Sequence, residues 1–509
     1  MSILRKRERR ENMTRHGGIL LPVFSLPSPW GIGDVGSRAR NFVDWLAQAG
    51  QHYWQMLPLT HTKEIFGNSP YSSLSAFACS PLLASIEDLI DEGLIYPNEI
   101  PLFNEEKVGK VHYGLAEKLK MPLLEKAFQR FIQRANMDPL YLFWEEQRWW
   151  LNDFALFMAI RHRIEDDRWN LWPASIRQRE KQTLDTIRSE EKEYILFTVF
   201  VQYVVFSQFQ KLRSYCRSRN VELIGDLPIY VSFESADVWG CPEMFQLNAD
   251  MTPIAVSGVP PDYFSSTGQR WGNPLYRWDY AQDNSFHWWI KRLEHALHFF
   301  DLVRFDHFRG FLAYWSIPYE EKTAVKGHWE EGPNDNFFSA IKEKFSTMPF
   351  IAENLGIITP DVTEAMKRYD LPGMLVLLFA FDESMPRNPY ILHNHTPNNF
   401  IYTGTHDNNT VKGWFDEDST TQEKERLSTY TNTPLDRNNV TTVLTRLALM
   451  SVADTAIIPL QDYLNLGCEG RINTPSTIEG NWQWMLTGKE LTDSLAASLH
   501  SLMTVYGRI

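Results

Sequence analysis

Three acidic residues stand at the ends of short apolar runs. The runs are Leu302-Val-Arg-Phe-Asp306-His-Phe-Arg-Gly310, Phe350-Ile-Ala-Glu353-Asn-Leu-Gly356 and Ile401-Tyr-Thr-Gly-Thr-His406-Asp407-Asn-Asn-Thr410. A carboxylate beside sequence that reads as buried is costly unless it has a partner or a chemical task. Spacings of 47 and 54 residues suit successive strands of one sheet whose C-terminal ends face a shared site. Taken singly, each acid has a structural explanation. Asp306 can pair with Arg304, Glu353 can sit in a barrel-mouth salt bridge, and Asp407 can cap a helix. Taken together, they suit cleavage of a glycosidic bond. That reaction needs one carboxylate to attack, a second to protonate the leaving oxygen, and negative charge beside an oxocarbenium-like centre. His307 and His406 could donate hydrogen bonds to sugar hydroxyls. Neither His-x-x-x-His nor His-Glu-x-x-His occurs, so no metal and no cofactor are expected.

The elements that must position these acids follow a strand and helix beat. Gly18-Ile-Leu-Leu-Pro-Val-Phe24 reads as a strand. A helix begins near Ser37, with Phe42, Trp45, Leu46 and Ala49 on one face and Gly50 as its stop. His52-Tyr-Trp-Gln-Met-Leu-Pro58 is the second strand. Residues 86–207 interrupt the beat as a mainly helical insertion, whose Trp144, Trp149, Trp150, Trp169 and Trp172 are assigned to helix packing. The beat resumes at Val221-Glu-Leu-Ile-Gly-Asp226-Leu-Pro-Ile-Tyr-Val231. Residues 238–280 then carry Gly, Pro and aromatic residues without a helix or strand pattern, inside a loop-rich insertion (232–300) expected to cover the active site. Further strands are expected at 302–306, 349–353, 374–381, 400–405 and 455–460. Eight βα units with acids at strand ends predict an α/β fold, a (β/α)8 TIM barrel over residues 14–509 with its site at the C-terminal face.

Gly31-Ile-Gly33-Asp-Val-Gly36 matches the dinucleotide fingerprint as a string. Leu26-Pro-Ser-Pro-Trp30 separates it from its strand, and the second strand lacks a ribose-binding acid, so a tight turn onto a helix is the better reading.

The 509 residues carry a formal net charge of −13, which opposes a nucleic-acid partner. The run from Met374 to Phe381 is too short to cross a bilayer, and no membrane partner is expected. Cys79, Cys216, Cys241 and Cys468 are scattered, as core thiols of a reducing compartment would be. The basic stretch 1–13 lacks an apolar segment behind it and reads as a flexible arm; the expected location is cytoplasmic.

Longer motifs surround the acids: Ser69-Pro-Tyr71, Gly225-Asp-Leu-Pro-Ile-Tyr230, the 257–274 loop, Arg304-x-Asp306-His-Phe-Arg-Gly310 and Gly404-Thr-His-Asp407-Asn. Gln461-Asp-Tyr-Leu-Asn465 and Arg471-Ile-Asn473-Thr-Pro475 follow. In these the chain resembles the 4-α-glucanotransferases (amylomaltases), which are similar to α-amylases in barrel and chemistry. The resemblance implies Asp306 as nucleophile, Glu353 as acid/base and Asp407 as transition-state stabiliser. It implies that Arg304 orients Asp306, that Tyr71, His307 and His406 bind the sugar, and that Asp226 supports the site. Asp262, Gln269 and Trp271 would cover the groove, and Asn473 would reach in from the last strand's loop. Maltooligosaccharides and α-1,4-glucans are the implied partners. A glucan hydrolase and a non-catalytic glucan binder are the alternatives.

The chain departs from the family pattern at Asn354 and Asn409, both commonly Asp, at Ala78-Cys-Ser-Pro81, and at Gln483 and Met485. Fewer anions near Glu353 should ease its ionisation.

Overall fold

Runs such as Ala456-Ile-Ile-Pro459 are apolar throughout because a parallel strand covered by helices is buried on both faces. The computed structural model describes residues 15–509 except 63, 102–108, 135, 262–264, 357 and 478. Eight parallel strands close into a barrel in chain order: His16–Leu20, Tyr53–Gln55, Glu222–Leu227, Leu302–Phe305, Phe350–Ala352, Gly373–Val376, Asn399–Tyr402 and Thr455–Pro459. Pairing of His16 with Thr455 through Leu20 with Pro459 closes the ring. The barrel is the TIM barrel the eight apolar runs predict. Inside it the Tyr402 hydroxyl donates to Gln55 Oε1 at 2.8 Å. Gly225 is needed beside Asp226, because a Cβ there would lie 2.1 Å from the Phe300 ring.

Between the second and third strands lie the helices Tyr113–Ile132, Asp138–Ile164, Lys181–Glu190 and Lys192–Ser218. The last runs through residue 207, where the sequence pattern placed the insertion's end. Its apolar face continues with Phe209, Leu212 and Cys216, all fully buried, and leads straight into the third strand. It is long and apolar enough to cross a membrane, yet 67% of its most apolar stretch is buried inside the fold. Trp150, Trp169 and Trp172 are buried in this layer, whereas Trp149 is 39% exposed.

The 238–280 segment is more ordered than its sequence pattern suggests. Ala255–Val259 and Gln269–Pro274 join Ala313–Pro318 and His328–Glu331 in a four-stranded antiparallel sheet beside the barrel. A register shift between Val256 and Gly258 breaks the alternation by which a strand is recognised. The helix His287–Phe299 follows within the same stretch that reads as loop-rich.

The glycine-rich turn is structural. Gly33 packs where a Cβ would meet Val23 O at 2.2 Å. The neighbouring Asp34 is buried against Lys120 Nζ at 2.9 Å, and Lys120 also donates to Leu82 O and Ala84 O. Cys79 and Cys216 are buried, but Cys468 is exposed, so not every thiol is a core residue; all four are free.

Candidate active site

The functional side chains stand at the C-terminal ends of six barrel strands or in the loops that follow them. Tyr71 lies in the loop after the second strand, Asp226 in the third, Arg304 and Asp306 at the fourth, and Glu353 after the fifth. His406 and Asp407 follow the seventh, and Asn473 the eighth. Parallel strands in one barrel point these ends at the same mouth.

Arg304 is the hub. Its Nη1 donates to Asp226 Oδ1 and Oδ2 at 2.7 and 2.8 Å and to Asp306 Oδ1 at 2.9 Å. Its Nη2 lies 4.0 Å from Glu353 Oε2. The Tyr71 hydroxyl donates to Asp226 Oδ2 at 2.7 Å. With that proton committed, His406 Nε2–H faces the Tyr71 oxygen at 2.7 Å and Asp407 Oδ2 at 3.3 Å. Asn473 Nδ2 donates to Asp407 Oδ1 at 2.6 Å. Glu353 accepts two backbone amides, His307 N on Oε2 at 2.6 Å and Leu355 N on Oε1 at 3.2 Å. Trp271 stands edge-on to the His307 ring at 4.9 Å, and its indole N–H donates to Gln269 Oε1 at 3.1 Å. The structure therefore gathers Tyr71, Asp226, Gln269, Trp271, Arg304, Asp306, His307, Glu353, His406, Asp407 and Asn473 at one mouth. Asp262 lies outside the described residues.

The three acids differ in proton affinity. Burial pushes the Glu353 carboxyl up to about 8, with Arg304 opposing and the Asp306 charge adding. Burial pushes Asp306 up to about 6 against Arg304, helped by Asp226 and Asp407. Burial also opposes the Asp407 charge, but His406, Asn473 and Arg304 hold that carboxyl well below the usual range. Near neutral pH, the site thus combines a protonated acid, a largely ionised carboxylate and a permanently ionised one. Burial also opposes charge on His406, yet Asp407 raises its pKa overall. Burial drives His307 down to about 4, so its ring is neutral, and its Nε2 is buried with no hydrogen-bond partner from the protein. A sugar hydroxyl could satisfy it. Among the described residues no cluster of His, Cys, Asp and Glu is arranged to hold a metal ion.

Three residues here were given no role by the sequence, although Asp462 and Arg471 lie inside its quoted motifs. Asp462, buried after the last strand, accepts from Thr403 Oγ1 at 2.6 Å and from Val411 N at 2.8 Å. It thereby clasps both ends of the loop bearing His406 and Asp407. It carries the same signal as the three acids, a carboxylate just beyond an apolar run. Arg471 donates to Asn473 O at 2.9 Å and to Asp407 O at 3.4 Å. Trp482 packs against Tyr71 and His406, with ring centroids 5.8 and 6.1 Å away, and nothing local in the sequence distinguishes it from a core tryptophan.

Comparison with known proteins points the same way. A family model described as 4-alpha-glucanotransferase (glycoside hydrolase family 77) matches residues 21–492. The 4-alpha-glucanotransferase of Aquifex aeolicus is 43% identical over 494 residues, covering 97% of this chain and 99% of that one. The Thermus thermophilus 4-alpha-glucanotransferase is 42% identical over 506 residues, covering 98% and 100%. The Streptococcus agalactiae amylomaltase solved in complex with acarbose superposes with a TM-score of 0.92 at 37% identity, covering 97% and 99%. With the match running nearly end to end on a barrel whose mouth gathers these carboxylates, the chain belongs to the 4-alpha-glucanotransferase family, enzymes acting on α-glucans.

Proposed function

We propose that this enzyme moves α-1,4-glucan segments between maltodextrin chains by a retaining double displacement. Asp306 attacks the anomeric carbon as the bond to the leaving O4 breaks, and Glu353 gives its proton to that oxygen. The donor segment is then held as an ester on Asp306. Glu353, now ionised, takes the proton of an acceptor 4-hydroxyl, whose oxygen attacks the anomeric carbon and releases Asp306. Asp407 stabilises the positive charge of both transition states, and Arg304 fixes Asp306. Tyr71, His307, His406 and Asn473 bind the sugar, with Asp226 behind them and Gln269 and Trp271 over the groove.

The single observation carrying this reading is the convergence of three carboxylates at one barrel mouth, with Asp306 held by Arg304, Glu353 by the His307 amide and Asp407 by Asn473. Transfer must also outcompete water. With water at about 55 M and an acceptor at about 10 mM, parity needs a preference of roughly 5,000-fold, or about 5 kcal/mol. Trp271, edge-on to His307, is suited to excluding water from the ester.

Maltotriose is the test substrate. Glucose plus a ladder of longer oligosaccharides supports transfer, whereas glucose and maltose without a ladder would make the enzyme a hydrolase. A donor that needs no leaving-group proton, α-maltosyl fluoride, should load Glu353→Gln with one maltosyl group on Asp306, detectable by peptide mass spectrometry. No adduct would overturn the covalent route.

A further inference from the structure

An open surface groove of about 510 Å3, whose lining includes none of Asp306, Glu353 and Asp407, lies between the edge strand His328–Glu331 and the helix Pro360–Tyr369. That volume suits a small ligand. Its floor is apolar, with Leu312, Ala313 and Ala365. Trp329 forms one wall and stays 39% exposed although the Arg309 guanidinium lies 4.1 Å from its ring centroid. Opposite stand Asp361 and Glu364, one helical turn apart on one helix face.

We propose that this groove is an accessory binding site for a short α-glucan segment, which lays a glucosyl ring on Trp329 and hydrogen-bonds its hydroxyls to Asp361 and Glu364. The ligand class follows from the chemistry of the walls. Five carboxylates, at Glu330, Glu331, Asp335, Asp361 and Glu364, line the groove against the single cation Arg368, which is paired with Asp335, and this excess of negative charge repels phosphorylated or otherwise anionic ligands. An indole wall and an apolar floor serve a bare cation poorly, and the groove's acids form no metal-holding cluster. A neutral polyol with CH-rich ring faces satisfies both kinds of wall. The strand carrying Trp329 is one edge of the four-stranded sheet whose other edge carries Gln269 and Trp271, so a glucan seated here is held by the sheet that also sets Trp271 against His307. The inference rests on an α-glucan substrate but not on the covalent mechanism.

Calorimetric titration of Asp306→Asn with maltoheptaose separates the two sites, since this variant keeps the catalytic groove without turnover. The expected result is more than one class of binding, with Trp329→Ala and, separately, Glu364→Lys in that background each removing the weaker class. In the otherwise wild-type enzyme, Trp329→Ala should lower kcat/KM on long amylose roughly three- to tenfold, the scale of one lost aromatic contact. Maltotriose disproportionation should be unchanged. A single binding class, unaltered by either substitution, overturns the proposal. So does a groove that takes up calcium ions rather than maltoheptaose. Failure of wild-type maltotriose transfer would instead count against the proposed function.

Discussion

The His307 amide donates to Glu353 Oε2 at 2.6 Å, and His307 is the residue immediately after Asp306. One tight turn therefore carries the carboxylate proposed to attack and grips the one proposed to protonate the leaving group. The turn places His307 in the left-handed region, at φ 49°, a conformation that few residues other than glycine adopt and that histidine tolerates better than most. That backbone aims the amide at the fifth strand's carboxylate, so the spacing of the two acids is fixed by main chain rather than by long side chains.

The pH dependence of kcat/KM should be bell-shaped. Below about 6, Asp306 is protonated and cannot attack; above about 8, Glu353 has lost the proton it must donate. The acids interact, so the limbs belong to the pair. Initial rates on maltotriose across pH 4–10 check this, and a flat profile between pH 7 and 10 would remove Glu353 as the acid.

Asn354→Asp should move the basic limb to higher pH by roughly 0.5 units, through like-charge repulsion. Asn354 Oδ1 accepts the Met374 amide at 2.7 Å, a task an aspartate can take over without rearrangement. Asn409 is buried against Gly413, so a charge there would also perturb the loop; the single substitution is the cleaner test. An unmoved limb refutes the effect.

Glu353→Gln should gain thermal stability relative to the wild type as pH rises. The folded-state pKa of Glu353 is raised from 4.5 to about 8. Its contribution to stability is complete below 4.5 and is lost as pH climbs through 8, whereas glutamine does not titrate. Melting temperatures of the two proteins at pH 5 and pH 8.5 measure the divergence.

Asp226→Ala should cost up to about 3–5 kcal/mol, because it takes two of three carboxylate hydrogen bonds from a buried guanidinium and leaves only the one to Asp306. The Arg304 and Asp226 side chains are 3% and 0% exposed. Urea denaturation reads the loss, and Asp226→Asn, which keeps an acceptor, should lose less.

Trp271→Ala should raise the ratio of hydrolysis to transfer several-fold while glucan cleavage continues. Reducing ends counted against total bond exchange give the ratio; an unchanged value would mean that the indole does not keep water out.

The eight apolar runs made the barrel legible, because burial on both faces of a parallel strand writes a local, contiguous signal. Asp306, Glu353 and Asp407 were legible for the same reason, each being a charge at the edge of such a run. Asp462 carried that signal too, but its task is to accept Thr403 and Val411 across the next loop, and only proximity in space reveals that. The side sheet was hidden because a bulge at Val256 and Gly258 breaks the two-residue period.

The chain's order of residues by itself determined which side chains stand at strand ends and that those ends share a barrel mouth. Only the folded structure decided which acid keeps its proton. That choice depends on the Arg304 guanidinium, the His307 amide and the depth of burial around each carboxyl, and electrostatic energy follows distance through space rather than separation along the chain.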